Sequence, residues 1–167
     1  MSKEFKSKID TQSESFLKNR AEMLKKIKEM RNLEKRSFNA SESKRKKFED
    51  RNQLTPRERL NALIDPDSEF IELYNMAGFL VEDNNPETSI PGASVIAGIG
   101  FIKGVRCMIM VDDSGINAGA ATSTTVDKCV GCLEISLEKK LPFVHLVESA
   151  GINPVSYTHL TLPTSVT

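Results

Sequence analysis

The sequence predicts an α/β fold in which a strand–strand–helix–strand unit follows a basic helical arm. Three observations carry this. First, "ASVIAGIGFI" and "VRCMIMVD" are two β-rich runs that meet at Lys103-Gly104, a two-residue hairpin signal. Second, "TTVDKCVGCLEISLEKK" carries Val126, Val130, Leu133 and Leu137 at helical spacing, and Leu141-Pro142 separates it from the apolar run "FVHLVE". Third, charge divides the chain: residues 1–59 hold 18 Lys/Arg against 10 Asp/Glu, whereas residues 60–167 hold 5 against 13.

Taken in order, residues 14–35 read as an amphipathic helix, with Phe16, Met23, Leu24, Ile27, Met30 and Leu33 recurring among Lys and Glu. "SFNASES" is expected to interrupt it, and "KRKKFEDRNQ" to be a charge-rich connection. "LTPRERLNALIDPDSEFIEL" is the most locally determined stretch. Thr55 caps a helix, Pro56 suits its first position, and Glu58 completes a Thr-x-x-Glu capping box. Leu60, Leu63 and Ile64 form its apolar stripe, Asp65-Pro66-Asp67 stops it, and "EFIELY" follows as a short strand. A polar loop over residues 82–92 leads to the hairpin, the helix and the last strand. The last two strands are expected to be parallel, joined by a right-handed crossover.

A chain of 167 residues fits one domain or part of one. Its 39% hydrophobic and 28% charged content is that of a soluble globular protein. No apolar run approaches the roughly 18 residues that span a bilayer, and none follows the basic N-terminus as in a signal peptide. Glu4, Asp10 and Glu14 argue against a transit peptide, so a cytoplasmic location is expected, with no membrane partner. A basic arm suits nucleic acid, a polyanion or an acidic protein surface. Its ten acids and lack of interleaved aromatics argue against nucleic acid and for a solvated face that docks on an acidic neighbour. Cys129 and Cys132 form a lone C-x-x-C inside a helical pattern, and Cys107 cannot complete a zinc site. The three cysteines are expected to be free thiols, and the pair is read as buried small apolar residues, with no metal in this segment.

Ligands of parallel sheets bind beyond the carboxyl ends of strands. "DDSGINAGAAT" leaves one such end and "ESAGINP" the other. Small residues there let a backbone come close to a ligand and present its N–H groups. His145, inside an apolar strand, is read as a core or interface residue rather than a base. Asp112, Asp113 and Glu148 are either acids and bases or caps for nearby backbone. "GIGFIKG" enters a hairpin and is no dinucleotide fingerprint. No P-loop, Ser-His-Asp set or metal cluster is evident, and a chemistry run by backbone N–H groups would fit such a site.

With "LTPRERLNALIDPDSEFIEL", "GIGFIKGVRCMIMVDD" and "LEKKLPFVHLVESAG" in this order, the chain resembles the carboxyltransferase (β) subunits of biotin-dependent acyl-CoA carboxylases from Gln12 to Gly151. Propionyl-, methylcrotonyl- and geranyl-CoA carboxylases are typical. The resemblance implies a crotonase-like spiral of ββα repeats, of which this segment holds the beginning: an arm over 1–53, the start of the carboxyltransferase domain over 54–154, and a tail over 155–167. It also implies transfer of a carboxyl group from carboxybiotin to the α carbon of an acyl-CoA, with backbone N–H groups stabilising the enolate oxygen. Ser149, Ala150 and Gly151 stand where many relatives have Ser-Gly-Gly and are the backbone candidates. Gly115, Asn117, Ala118, Gly119, Ala120 and Thr122 stand where relatives carry a Gly-rich loop beside the CoA. Implied partners are the acyl-CoA, a biotin carboxylase or biotin carrier subunit, and further copies of the full-length subunit. A biotin-dependent acyl-CoA decarboxylase subunit is the alternative that the same motifs allow. "VSYTHLTLPT" (Val155–Thr164) is similar to a translated sequencing adapter, so the tail is expected to be foreign and the segment alone inactive.

Overall fold

The computed structural model of the chain describes residues 7–151. The tail expected from residue 155 onward lies outside the described residues, as do Ile152 to Pro154 of the second loop. Two compact units divide after Asn32. In the first, Asp10 and Ser13 lead into helix α1 (Glu14–Glu42), with Asp10 Oδ1 accepting from Gln12 N at 2.9 Å. Leu17, Met23, Leu24 and Met30 of this helix are exposed.

The second unit begins within α1. "SFNASES" does not end the helix as its composition suggests. Ser37 and Ser43 turn their hydroxyls back to Glu34 O and Ala40 O, at 2.8 and 2.7 Å, which the helix tolerates. Arg36 donates to Pro86 O and Ser89 O, so tertiary partners override a weak local preference. The expected connection that follows contains a short helix, α2 (Arg45–Glu49), anchored by buried Phe48. Helix α3 (Pro56–Leu63) has the capping box read from the sequence: Glu58 N donates to Thr55 Oγ1, and Thr55 N to Glu58 Oε2.

Four strands form one sheet in the order β1-β2-β3-β4: β1 (Ile71–Glu72), β2 (Val95–Ile102), β3 (Val105–Asp112) and β4 (Phe143–Leu146). β1 is shorter than "EFIELY" suggests. β2 and β3 are antiparallel and turn at Lys103-Gly104, with φ values of 51° and 77° as a two-residue primed turn requires. Asp65, just past α3, accepts both turn N–H groups, at 2.6 and 2.7 Å. β3 and β4 are parallel, as expected, with Met108 opposite Phe143 and Val111 opposite Leu146.

Side chains alternate along β3. Cys107, Ile109 and Val111 join Leu60 of α3 and Ile96 on one face. Met108 and Met110 join Val95, Ala97 and Cys132 of helix α4 (Ser123–Lys139) on the other. β3 is therefore a central strand covered on both sides. All three cysteines are free, with Cys107 and Cys132 buried.

Helix α4 forms as expected, but its apolar stripe does not meet the sheet: Val126, Val130, Leu133 and Leu137 are exposed. The face that meets the sheet carries Lys128, Cys132 and Ser136, with Cys129 and Ile135 beside them. Lys128 is only 3% exposed, and its Nζ donates to Gly92 O and Val95 O, which stitches the helix to the approach to β2.

Candidate functional site

Because β3 and β4 are parallel neighbours, the loops leaving their carboxyl ends lie side by side and are bonded to each other. Ala150 N donates to Ala118 O at 3.2 Å, Ala121 N to Gly151 O at 2.9 Å, and Ser149 Oγ to Gly119 O at 2.6 Å. Their approach is close enough to need glycine: a Cβ on Gly119 would stand 2.5 Å from Glu148 O.

The carboxylates at these strand ends hold backbone in place. Asp112 Oδ2 accepts from Glu148 N at 3.0 Å, and its Oδ1 lies 2.8 Å from His145 Nε2. Burial raises the Asp112 pKa, but these two hydrogen bonds and the charges of His145 and Arg59 outweigh it and hold the carboxyl below its usual range. Asp113 Oδ1 accepts from Ser41 Oγ at 2.8 Å and Gly115 N at 3.0 Å. For Asp113 burial prevails and pushes the carboxyl up. Of the two roles open to these carboxylates, capping is the one the geometry displays. His145 is exposed and paired with Asp112, so it is not a core residue.

The candidate residues are not equivalent. Gly115 packs against α1, where a Cβ would meet Ser41 Oγ at 2.9 Å. Thr122 is the N-cap of α4 and shares a capping box with Thr125, so its hydroxyl is engaged. Asn117 and Ala118 are exposed and Gly119 buried, and all three have left-handed backbone, with φ of 48°, 54° and 69°. Non-glycine residues in that region carry strain of order 1–3 kcal/mol each, which surrounding structure must hold. Gly119 N and Ala120 N donate to Ile116 O and Asn117 O. Ala150 N is engaged by Ala118, and Gly151 N by Ser149 Oγ at 3.1 Å. Among the described residues, the N–H groups of Asn117, Ala118 and Ser149 have no hydrogen-bond partner. Asn117 and Thr122 also line a cleft of about 170 Å³ together with Gly78, Ser89 and Ala93. No group of three or more His, Cys, Asp or Glu among the described residues is placed to hold a metal ion.

Sequence reasoning missed Arg59, Ser114 and Ser41. Arg59 Nη2 on α3 donates to Asp112 O at 2.9 Å and pairs with Glu148 Oε2 at 2.7 Å, and Ser114 Oγ donates to Glu148 Oε1 at 2.8 Å. These partners lie 34 to 89 residues apart, and no local pattern marks them.

Residues 47–158 match the family described as the carboxyl transferase domain. The chain belongs to that family. Over 144 residues it is 35% identical to the mitochondrial methylcrotonoyl-CoA carboxylase beta chain of Arabidopsis thaliana, covering 86% of this chain and 24% of that protein. Over 113 residues it is 37% identical to a probable biotin-dependent acyl-coenzyme A carboxylase beta2 subunit of Mycobacterium tuberculosis, covering 68% of this chain and 20% of that one. The crystal structure of the P. aeruginosa geranyl-CoA carboxylase beta subunit superposes with a TM-score of 0.84 at 37% identity, covering 93% of this chain and 29% of that one. The α/β, crotonase-like fold of the family is thus the fold of this chain, which spans about a fifth to a quarter of the curated relatives it matches. No helix among the described residues is long and apolar enough to cross a membrane.

Proposed function

We propose that this chain is part of a carboxyltransferase that moves a carboxyl group from carboxybiotin, presented on a partner carrier subunit, to the α carbon of an acyl-CoA. The observation that best supports this is the pair of mutually bonded strand-end loops, in which the N–H groups of Asn117, Ala118 and Ser149 are unengaged among the described residues. In such a reaction carboxybiotin supplies the carboxyl group. As the α-proton passes from the acyl-CoA to the ureido nitrogen freed by loss of the carboxyl group, negative charge would grow on the thioester oxygen, and N–H groups aimed at that oxygen would lower the barrier. A strained left-handed stretch keeps the N–H groups of Asn117 and Ala118 out of local hydrogen bonds. Ser149 contributes the third, while the Ala150 N–H and the Gly151 carbonyl lock the loops together through Ala118 and Ala121. Gly119 and Ala120 allow the backbone beside the CoA to pass close to the second loop. Gly115 and Thr122 shape the loop from behind, through packing and capping. Further copies of the full-length subunit and a biotin carboxylase complete the assembly in this reading, and the segment alone is inactive.

The test is to supply the full-length subunit with carboxylated biotin carrier and acetyl-, propionyl-, methylcrotonyl- or geranyl-CoA. Carboxylation of at least one is expected, and transfer to none overturns the reading. Gly151→Val provides a local check. Gly151 has φ of 105°, which a β-branched residue resists, although no described residue would meet its Cβ. Turnover should fall with little change in folding, and unchanged turnover removes this loop from the site.

A further inference from the structure

The two loops need something behind them, and α3 provides it. Its capping box fixes the first turn, which places Arg59 one turn on, beneath the carboxyl ends of β3 and β4. A single guanidinium nitrogen, Nη2, reaches Asp112 O at 2.9 Å and Glu148 Oε2 at 2.7 Å. Glu148 uses its other carboxylate oxygen to accept from Ser114 Oγ, and its backbone N–H donates to Asp112. One side chain from a third element therefore touches the end of β3, the second residue of the loop after β4 and, through Glu148, the β3 loop.

We infer that Arg59 is a positioning residue for carboxyl transfer: through Glu148 it holds the loop after β4 against the loop after β3, and so sets the N–H groups of Asn117, Ala118 and Ser149 at one site. This rests on the reading of the chain as a carboxyltransferase. Stability alone is a poor reason for this arginine. Arg59 Nε is buried without a partner among the described residues, so its lost hydration is not made good. The Arg59–Glu148 pair is about a fifth to a quarter exposed, so solvent screens part of its attraction. What the arrangement secures is the relative placement of two loops, and a misplacement of about 1 Å costs on the order of a hundredfold in rate.

In the full-length subunit, Arg59→Met and Glu148→Gln should each lower kcat by about 10- to 100-fold, with the acyl-CoA KM changed less than about threefold. The double variant should be no slower than the worse single one, because both break one link. Millimolar guanidinium should restore part of the activity of Arg59→Ala. Hydrogen exchange should quicken at the Ala121 and Ala150 amides together while the α4 amides from Lys128 to Ser136 stay protected. Additive losses, a rise in KM alone, or exchange that quickens equally in α4 would overturn the inference. Where Arg59→Met does not fold, Arg59→Lys with Glu148→Gln decides the same question. If the wild-type subunit transfers no carboxyl group, the functional reading fails, and the exchange experiment still decides whether Arg59 couples the loops.

Discussion

Helices α3 and α4 begin alike and end up opposite. Each opens with a threonine capping box, Thr55 with Glu58 and Thr122 with Thr125. α3 then buries Leu60 at 2% exposure against Ile96, Ile109 and Val111, as its apolar spacing demands. α4 turns Lys128, Cys132 and Ser136 inward and leaves Val126, Val130, Leu133 and Leu137 in the open. The difference lies in what the sheet offers. On the α3 side, branched residues make room for leucine. On the α4 side, Val95, Ala97 and the long Met108 and Met110 form the layer, and α4 meets it with Cys132, Cys129 and Ile135 beside the hydrogen-bonded Lys128.

The largest expected effect tests the α3 side. Leu60→Ala should cost about 2–5 kcal/mol in urea unfolding, because it empties a closed core position. A loss under about 1 kcal/mol would mean that α3 is not docked as described.

Next comes the buried cation of α4. Burial pushes the Lys128 ammonium down to about 8 from its ordinary 10.5, with Glu72 partly opposing the shift. Between these two values the unfolded chain binds a proton that the folded one lacks, so this group makes stability rise with pH across that window. The Cys107 and Cys132 thiols, pushed up by burial, act in the opposite sense at the alkaline end. Comparison with Lys128→Met isolates the lysine: relative to the variant, the wild type should gain up to about 3 kcal/mol from pH 7.5 to 10.5. A pH-independent difference would place the lysine in water.

A smaller effect tests the shared feature. Thr55→Ala and Thr122→Ala should each cost about 1 kcal/mol, since each leaves helix N–H groups without their cap. A neutral substitution at either would show that capping box to be dispensable.

The smallest effect is the sharpest. Leu133→Ala, at 46% exposure, should stay within about 0.5 kcal/mol in this chain. If it costs as much as Leu60→Ala in the full-length subunit, the outer face of α4 is covered there, and its apolar stripe has the partner that its spacing calls for.

These contrasts divide what was legible from what was not. The Thr55–Glu58 box, the Lys103-Gly104 turn, the order of elements and the neighbouring strand-end loops were all read from the chain. Each depends on residues within a few positions, or on periodicity along one element. The persistence of α1 through "SFNASES" was not legible, because Arg36 and Ser41 find their partners 50 to 72 residues away. At the candidate site, the small-residue loops were visible as composition, but composition cannot tell an engaged N–H from a free one. Ala150 and Gly151 were singled out there, yet their N–H groups are already taken by Ala118 and Ser149.

By itself, then, the sequence determined where helices start, where the hairpin turns, that two flexible-backbone loops leave neighbouring strands, and which family the motifs resemble. Those are outcomes of short-range hydrogen bonding and steric preference. Only the tertiary structure decided which face of α4 is buried, which backbone donors remain unengaged, and that Arg59 stands behind both loops. Each of those depends on the space and the unpaired polar groups that distant segments leave to one another, and neither is written in any single stretch of the chain.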